Sequence, residues 1–197
     1  GRLTGVLVAP TQSYGMAEHH LSFPGTMSLN PETLLNLIHD LVLSLVQNGF
    51  ERIYLINGHG GNNATVKAAF HKIYSSAFIR NIKFSSKIRC RIANWFHAPD
   101  VFKQSHKLYG DKEGQHATPS EIAITLHLEP SLLEKHKPLP DPAPPGPIYN
   151  KEDFRLRHPD GRMGSHPFLA NPNHGKILLD QAAQALVTDL TNFLSEL

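Results

Sequence analysis

Three short stretches of this 197-residue chain set histidine beside glutamate or glycine at spacings that permit chemistry. In Ile56-Asn57-Gly58-His59-Gly60-Gly61-Asn62-Asn63, His59 stands on a turn among glycines, which let backbone or a ligand come close. One imidazole fixed there suits Zn or Mn, or acid–base work; alone, the motif reads first as a glycine-rich turn with a surface histidine. In Gly15-Met16-Ala17-Glu18-His19-His20, a loop offers Glu18 and two histidines to a metal or a substrate, or simply to solvent. Neighbours on extended backbone point to opposite faces, so one of the two histidines is expected to face a given site. In Gly114-Gln115-His116-Ala117-Thr118-Pro119-Ser120-Glu121, Pro119 fits the first position of a helix with Thr118 as its N-cap. Glu121 then lies in the first turn and His116 just upstream, where one pocket can take both side chains. A carboxylate so placed also has a plainer role, favoured by the helix dipole by about 0.3–1 kcal/mol, and for Glu121 alone that role has the edge.

Other chemistries are excluded by pattern. There is no His-Glu-x-x-His or paired Cys-x-x-Cys spacing. Ser120 lacks the Gly-x-Ser-x-Gly elbow of serine hydrolases, and the Asn57–Asn62 turn lacks the Lys-Ser/Thr of a phosphate loop. A net charge of +2 without any Lys/Arg block gives no footprint for nucleic acid. No apolar run is long enough to span a bilayer, so no membrane partner is expected. The single Cys90 rules out an internal disulfide and fits a reducing compartment; a cytoplasmic location follows as an expectation. Cys90 lies in an apolar-alternating run and reads as a buried structural thiol. Charged residues are only 18% of the chain, which suggests surface covered by other subunits.

The elements that position these clusters follow the hydrophobic pattern. Leu3 to Pro10 reads as a buried strand, and Thr11 to Pro24 as the loop carrying Glu18, His19 and His20. Asn30-Pro31 starts a helix whose leucines, Ile38, Val42 and Val46 make a wide apolar face up to Asn48-Gly49. Arg52 to Ile56 is a second strand, Asn63 to Phe78 a second helix, and Ile88 to Phe96 a third strand. Ala98 to Tyr109 is a partly helical insert, Gly110 to Gln115 a polar loop, and Ser120 to Leu128 a short helix. Pro138 to Pro147 holds six of the 15 prolines and must be an extended arm lying on a surface, its own or another subunit's. His158 to His174 is an ordered Gly/Pro-rich loop; together residues 138–175 form an arm and loop within one domain spanning 1–197. Lys176 to Leu197 is a final helix with Ile177, Leu178, Ala182, Leu186, Leu190 and Leu194 on one face. Strand and helix alternating in this way give an α/β fold with a mainly parallel sheet flanked by helices.

Taken in order, the clusters resemble the creatininase (creatinine amidohydrolase) family along nearly the whole chain. Gly15…Glu18-His19-His20…Phe23-Pro24-Gly25-Thr26 is similar to its Ser-x-x-His-x-x-Phe-Pro-Gly-Thr segment, and Asn57-Gly58-His59-Gly60-Gly61-Asn62 to its most recognisable motif. His116-Ala117-Thr118-Pro119-Ser120-Glu121 is similar to its His-Ala-Gly-x-x-Glu-Thr-Ser, and Met163-Gly164…Pro167…Ala170…Gly175 to a late Gly-x-Pro-x-x-Ala…Gly segment before the last helix. The resemblance implies a layered α/β fold, homo-oligomers (often hexamers) and two divalent metals per complete site, Zn or Mn. It implies hydrolysis of a non-peptide C–N bond of a small cyclic or formyl-type amide by metal-activated water. It assigns His59 and Glu121 as metal ligands and His116 as the general acid/base. His20, chosen over His19 on this pattern, would line the substrate pocket with Glu18 and Asn62. Two departures stand out. Gly61 occupies the place of a ligand Glu in creatinine-cleaving members, so creatinine is not the expected substrate. No stretch matches the family's ligand-bearing Glu-x-x-His-Gly-x-His loop, so the chain is expected to be part of a longer protein or to have an incomplete metal site. The alternative reading is a non-catalytic assembly or small-molecule-binding protein on the same fold.

Overall fold

The computed structural model describes residues 1–135 and 137–196. The chain divides into two compact units. One comprises residues 1–18, 27–95 and 186–197, the other residues 19–26 and 96–185.

The first unit is built on a parallel pair of strands, β1 (Arg52–Asn57) and β2 (Arg89–Asn94), in register from Arg52 opposite Arg89 to Asn57 opposite Asn94. Helix α1 (Pro31–Gln47) precedes β1, and α2 (Asn63–Ile79) connects it to β2, as the sequence leads one to expect. Asn30 caps α1, its side chain accepting from the Glu32 N–H, with Pro31 at the first position. Leu34, Ile38, Val42, Leu43 and Val46 of α1 pack with Val66, Ala69, Phe70, Ile73 and Ala77 of α2, Ile53 of β1 and Ile88. This core holds the carboxyl ends of both strands, where the His59 turn begins. Fully burying side chains of this size contributes roughly 1.5–3 kcal/mol each. Arg91 is tied to Asp189 (2.9 Å) and Glu196, and the Tyr54 hydroxyl donates to Asp189 (2.6 Å).

Residues 3–10 are a correction to the sequence reading. They form a turn at residues 2–4 and then irregular backbone, with Leu7 82% and Val8 73% exposed. Gly5, at φ +73°, bends the chain, and no described strand pairs with the segment. An extended run of apolar residues becomes a strand only when a neighbour takes up its backbone groups.

The second unit holds α3 (Pro99–Tyr109), α4 (Pro119–Leu128), α5 (Lys151–Arg157) and the first half of α6 (Pro172–Ser195). The last turns of α6 belong to the first unit. Its buried face carries Leu178, Ala182 and Phe193, whereas Ile177 and Leu194, both expected on that face, are exposed; the expected end at Leu197 lies outside the described residues. Gly175 lies directly against the Ala123 carbonyl of α4, where a Cβ would collide with backbone. The polar loop at 110–115 contains a 3-10 turn, Gly110–Glu113, that buries Glu113. The proline-rich arm lies on its own chain: Arg162 donates to the Pro140 carbonyl (2.7 Å) and the Gly164 N–H to that of Ala143 (2.8 Å). No helix among the described residues is long and apolar enough to cross a membrane.

Candidate active site

In the first unit, the His59 turn is organised by Asn57, the buried last residue of β1. Its Nδ2 donates to the His59 carbonyl (2.7 Å) and to Asn94 Oδ1 (2.7 Å), while its Oδ1 accepts from Asn62 Nδ2 (3.1 Å) and the His59 N–H (3.3 Å). A buried primary amide whose donors and acceptor are all engaged fixes the turn at little cost, because nothing polar is left unsatisfied. Asn62 in turn accepts from the Met16 N–H (2.9 Å), drawing the 12–17 segment onto the turn. Two glycines make that approach possible. A Cβ on Gly15 would stand 2.5 Å from Asn62 Oδ1, and one on Gly61 would stand 2.5 Å from His59 Nε2 and 2.9 Å from the Met16 carbonyl. A cavity of about 260 Å³ opens here, lined in part by Gln12, Tyr14, Met27, His59 and Asn62. Its walls carry neutral polar groups and one imidazole. Asn62, expected to bind substrate, thus lines a cavity but spends its amide on the fold. Asn94 was not foreseen, although a parallel register setting two asparagines side by side at the strand ends is a signal the sequence contains.

In the second unit, imidazoles gather around the fully buried Phe154 of α5. The His20 ring lies 4.9 Å from Phe154 and 4.3 Å from the His116 ring; His19 lies 5.6 Å and His158 5.0 Å from Phe154. His19 and His20 do not point to opposite faces as extended backbone would have them, because Glu18–His20 forms a 3-10 turn and both rings reach Phe154. Glu18 is exposed at the start of that turn. His116 is fixed twice. Its carbonyl accepts from the Ser165 hydroxyl, and its Nδ1 lies 2.6 Å from the Gly161 carbonyl oxygen. A carbonyl only accepts, so Nδ1 carries the proton and Nε2 of the neutral ring keeps its lone pair. Phe154, His158 and Gly161 carry no local sequence signal of this role; they come from the segment read as arm and loop.

Glu121 closes a capping box. Its Oε2 accepts from the Thr118 N–H and the Thr118 hydroxyl (both 3.0 Å), and Thr118 Oγ1 accepts from the Glu121 N–H (3.3 Å). The plainer role foreseen for this residue is therefore present. Among the described residues no group of three His, Cys, Asp or Glu side chains is arranged so that it could hold a metal ion. Catalytic zinc sites draw at least three ligands from protein. With one oxygen of Glu121 engaged in the cap and Gly61 offering no side chain, the described residues do not by themselves fit a metal pair.

Comparison with known proteins supplies the context. A sequence model of the creatininase family, creatinine amidohydrolase, matches residues 1–190. The chain is 24% identical over 194 residues to a creatinine amidohydrolase of Pseudomonas putida, covering 92% of this chain and 73% of that one. It is 28% identical over 138 residues to a mycofactocin precursor peptide peptidase of Mycobacterium ulcerans, covering 68% of this chain and 45% of that protein. It thus spans about three quarters of the first relative and under half of the second. The fold superposes on a solved creatininase with Mn at a TM-score of 0.80 and 22% identity, covering 99% of this chain and 79% of the other.

Proposed function

We propose, for a chain that belongs to the creatininase family, that it carries the proton-transfer machinery of an amidohydrolase acting on a C–N bond of a small, non-peptide amide. The observation that carries this reading is the pairing of His116 Nδ1 with the Gly161 carbonyl. It leaves Nε2 free to take a proton from an attacking water and return it to the departing nitrogen, as general acid–base catalysis requires. His20, 4.3 Å from that ring, and the wall of Phe154 restrict the space around it.

The family implies a divalent metal, Zn or Mn, which when bound would polarise the carbonyl and acidify water. The resemblance assigns His59 and Glu121 to it. These two are fewer than the three protein ligands of a catalytic zinc, so the reading requires further donors. A homo-oligomer, hexameric by the same resemblance, is one source.

A second reading, a small-molecule-binding protein on the same fold, is favoured by the engagement of Glu121 in its cap and by the lack of a three-ligand cluster among the described residues. The two separate in one experiment. The purified chain is incubated with creatinine, a formyl amide of an opened pyrimidine and a short peptide, with and without added Zn or Mn. The amidohydrolase reading expects turnover of a small amide other than creatinine, and a loss of roughly 10²–10⁴-fold in His116→Gln. Binding without turnover under every condition would establish the second reading instead.

A further inference from the structure

We propose that Glu113 is a positioning residue of this site: its carboxyl group, held neutral, heads a one-way chain of hydrogen bonds through Ser120 and Thr118 that ends on Glu121. Four side chains of the second unit lie in series. Glu113 Oε1 contacts Ser120 Oγ, Ser120 Oγ lies 2.9 Å from Thr118 Oγ1, and Thr118 Oγ1 lies 3.0 Å from Glu121 Oε2. That makes three oxygen–oxygen contacts, but the two hydroxyls bring only two hydrogens. With both carboxylates ionised, one contact would set two lone-pair oxygens together with nothing between them. A third hydrogen, on one of the carboxyl groups, satisfies all three.

The geometry says which one. Glu121 Oε2 already accepts from the Thr118 N–H (3.0 Å) and sits in the first turn of a helix, where an acceptor and a negative charge belong. Glu113 is 7% exposed, and its Oε2 has no hydrogen-bond partner among the described residues. A carboxylate there would leave one oxygen buried and unsatisfied, whereas a carboxylic acid needs less. The hydrogens then run Glu113 to Ser120, Ser120 to Thr118, and Thr118 to Glu121. Burial raises the Glu113 carboxyl above its ordinary range; the Ser120 and Thr118 hydroxyls, the Ser120 backbone N–H and His106 oppose it without outweighing it. Tyr109 and His106 of α3 are the titratable groups facing it from that helix. The chain claims Oε2 of Glu121 and leaves Oε1 outside it. The bearing of this on catalysis rests on the reading of Glu121 as a ligand; the hydrogen-bond chain itself does not.

The test uses the full chain at neutral pH and two spectroscopic readouts that need no substrate. An infrared difference spectrum between wild type and Glu113→Gln should contain the C=O stretch of a protonated carboxylic acid, lost in the variant. Glutamine can donate from its amide to Ser120, so Glu113→Gln should also leave the ¹³C side-chain carboxylate resonance of Glu121 where it is. Glu113→Ala, which removes the head of the chain, should move it. A wild-type spectrum with carboxylate bands only would overturn the proposal, and so would a Glu121 resonance that moves in Glu113→Gln. These readouts stand even if no amide is ever turned over, so failure here and failure of the amidohydrolase reading are distinguishable.

Discussion

The Nδ1 atom of His116 lies 2.6 Å from the carbonyl oxygen of Gly161, so one backbone group decides which ring nitrogen of His116 can accept a proton. In ¹⁵N-labelled protein above the titration of the ring, the Nδ1–H tautomer should dominate at this residue. A ring present mainly as the Nε2–H tautomer would remove the basis for its acid–base role. His116→Asn, too short to bridge the same distance, should lose the function while the fold remains.

Arg162 should be the residue on which the proline-rich arm depends. Its side chain is 3% exposed, its Nε and Nη2 donate to Asp160 Oδ2, and its Nη2 also reaches the Pro140 carbonyl. Arg162→Ala should cost roughly 1.5–3 kcal/mol, the scale of hydrogen bonds to a charged group, because the Asp160 left behind is half exposed, and Arg162→Lys most of that, because an ammonium cannot reproduce the fork. Burial pushes the Asp160 carboxyl up, but its hydrogen bonds to Arg162 outweigh this and hold it below its usual range. The stability from this lowering is therefore present above the ordinary aspartate range and fades as pH falls through the lowered value. Urea titrations from neutral to acid pH should show it, and an acid dependence unchanged in Arg162→Ala would refute it.

Cys90 should be a slow thiol. Burial raises its pKa to about 11, partly opposed by a hydrogen bond from Tyr74. The thiolate is the reactive form, so labelling at pH 8 should be far slower than for an ordinary cysteine and should accelerate up to about pH 11. Rapid labelling of native protein at neutral pH would contradict this.

Much of this architecture is legible in the sequence because its signals are local. Asn30-Pro31 and Thr118-Pro119-Ser120-Glu121 announce helix starts by capping chemistry alone, and both caps form. The His59 turn is legible from its glycines. What escapes is non-local. Nothing near Leu3–Pro10 says that no described strand will pair with it. Helix α5 lies inside the stretch read as arm and loop, although Asn150, which accepts from the Asp153 N–H, is a usable start signal. Glu113 reads as a polar loop residue until α4 packs over it. The grouping of His20, His116 and His158 around Phe154 depends on contacts up to 134 positions apart, which no short window contains.

Gly61 offers a test of how committed the His59 turn is to its present shape. Its missing side chain is a packing requirement, since a Cβ would meet both His59 and the Met16 backbone. Gly61→Ala should destabilise by about 1–3 kcal/mol, and Gly61→Glu should do so without creating a metal ligand. Thermal melts with and without added Zn would decide it: metal-dependent stabilisation of Gly61→Glu beyond that of wild type would show that the turn can open.

The most direct test of the central claim, that the imidazole of His116 moves the proton, is chemical rescue. His116→Ala, shown to be folded, is assayed against the best small amide with increasing free imidazole. The activity should fall roughly 10²–10⁴-fold and return in part as imidazole enters the vacated space. Undiminished turnover in His116→Ala without imidazole would contradict the account.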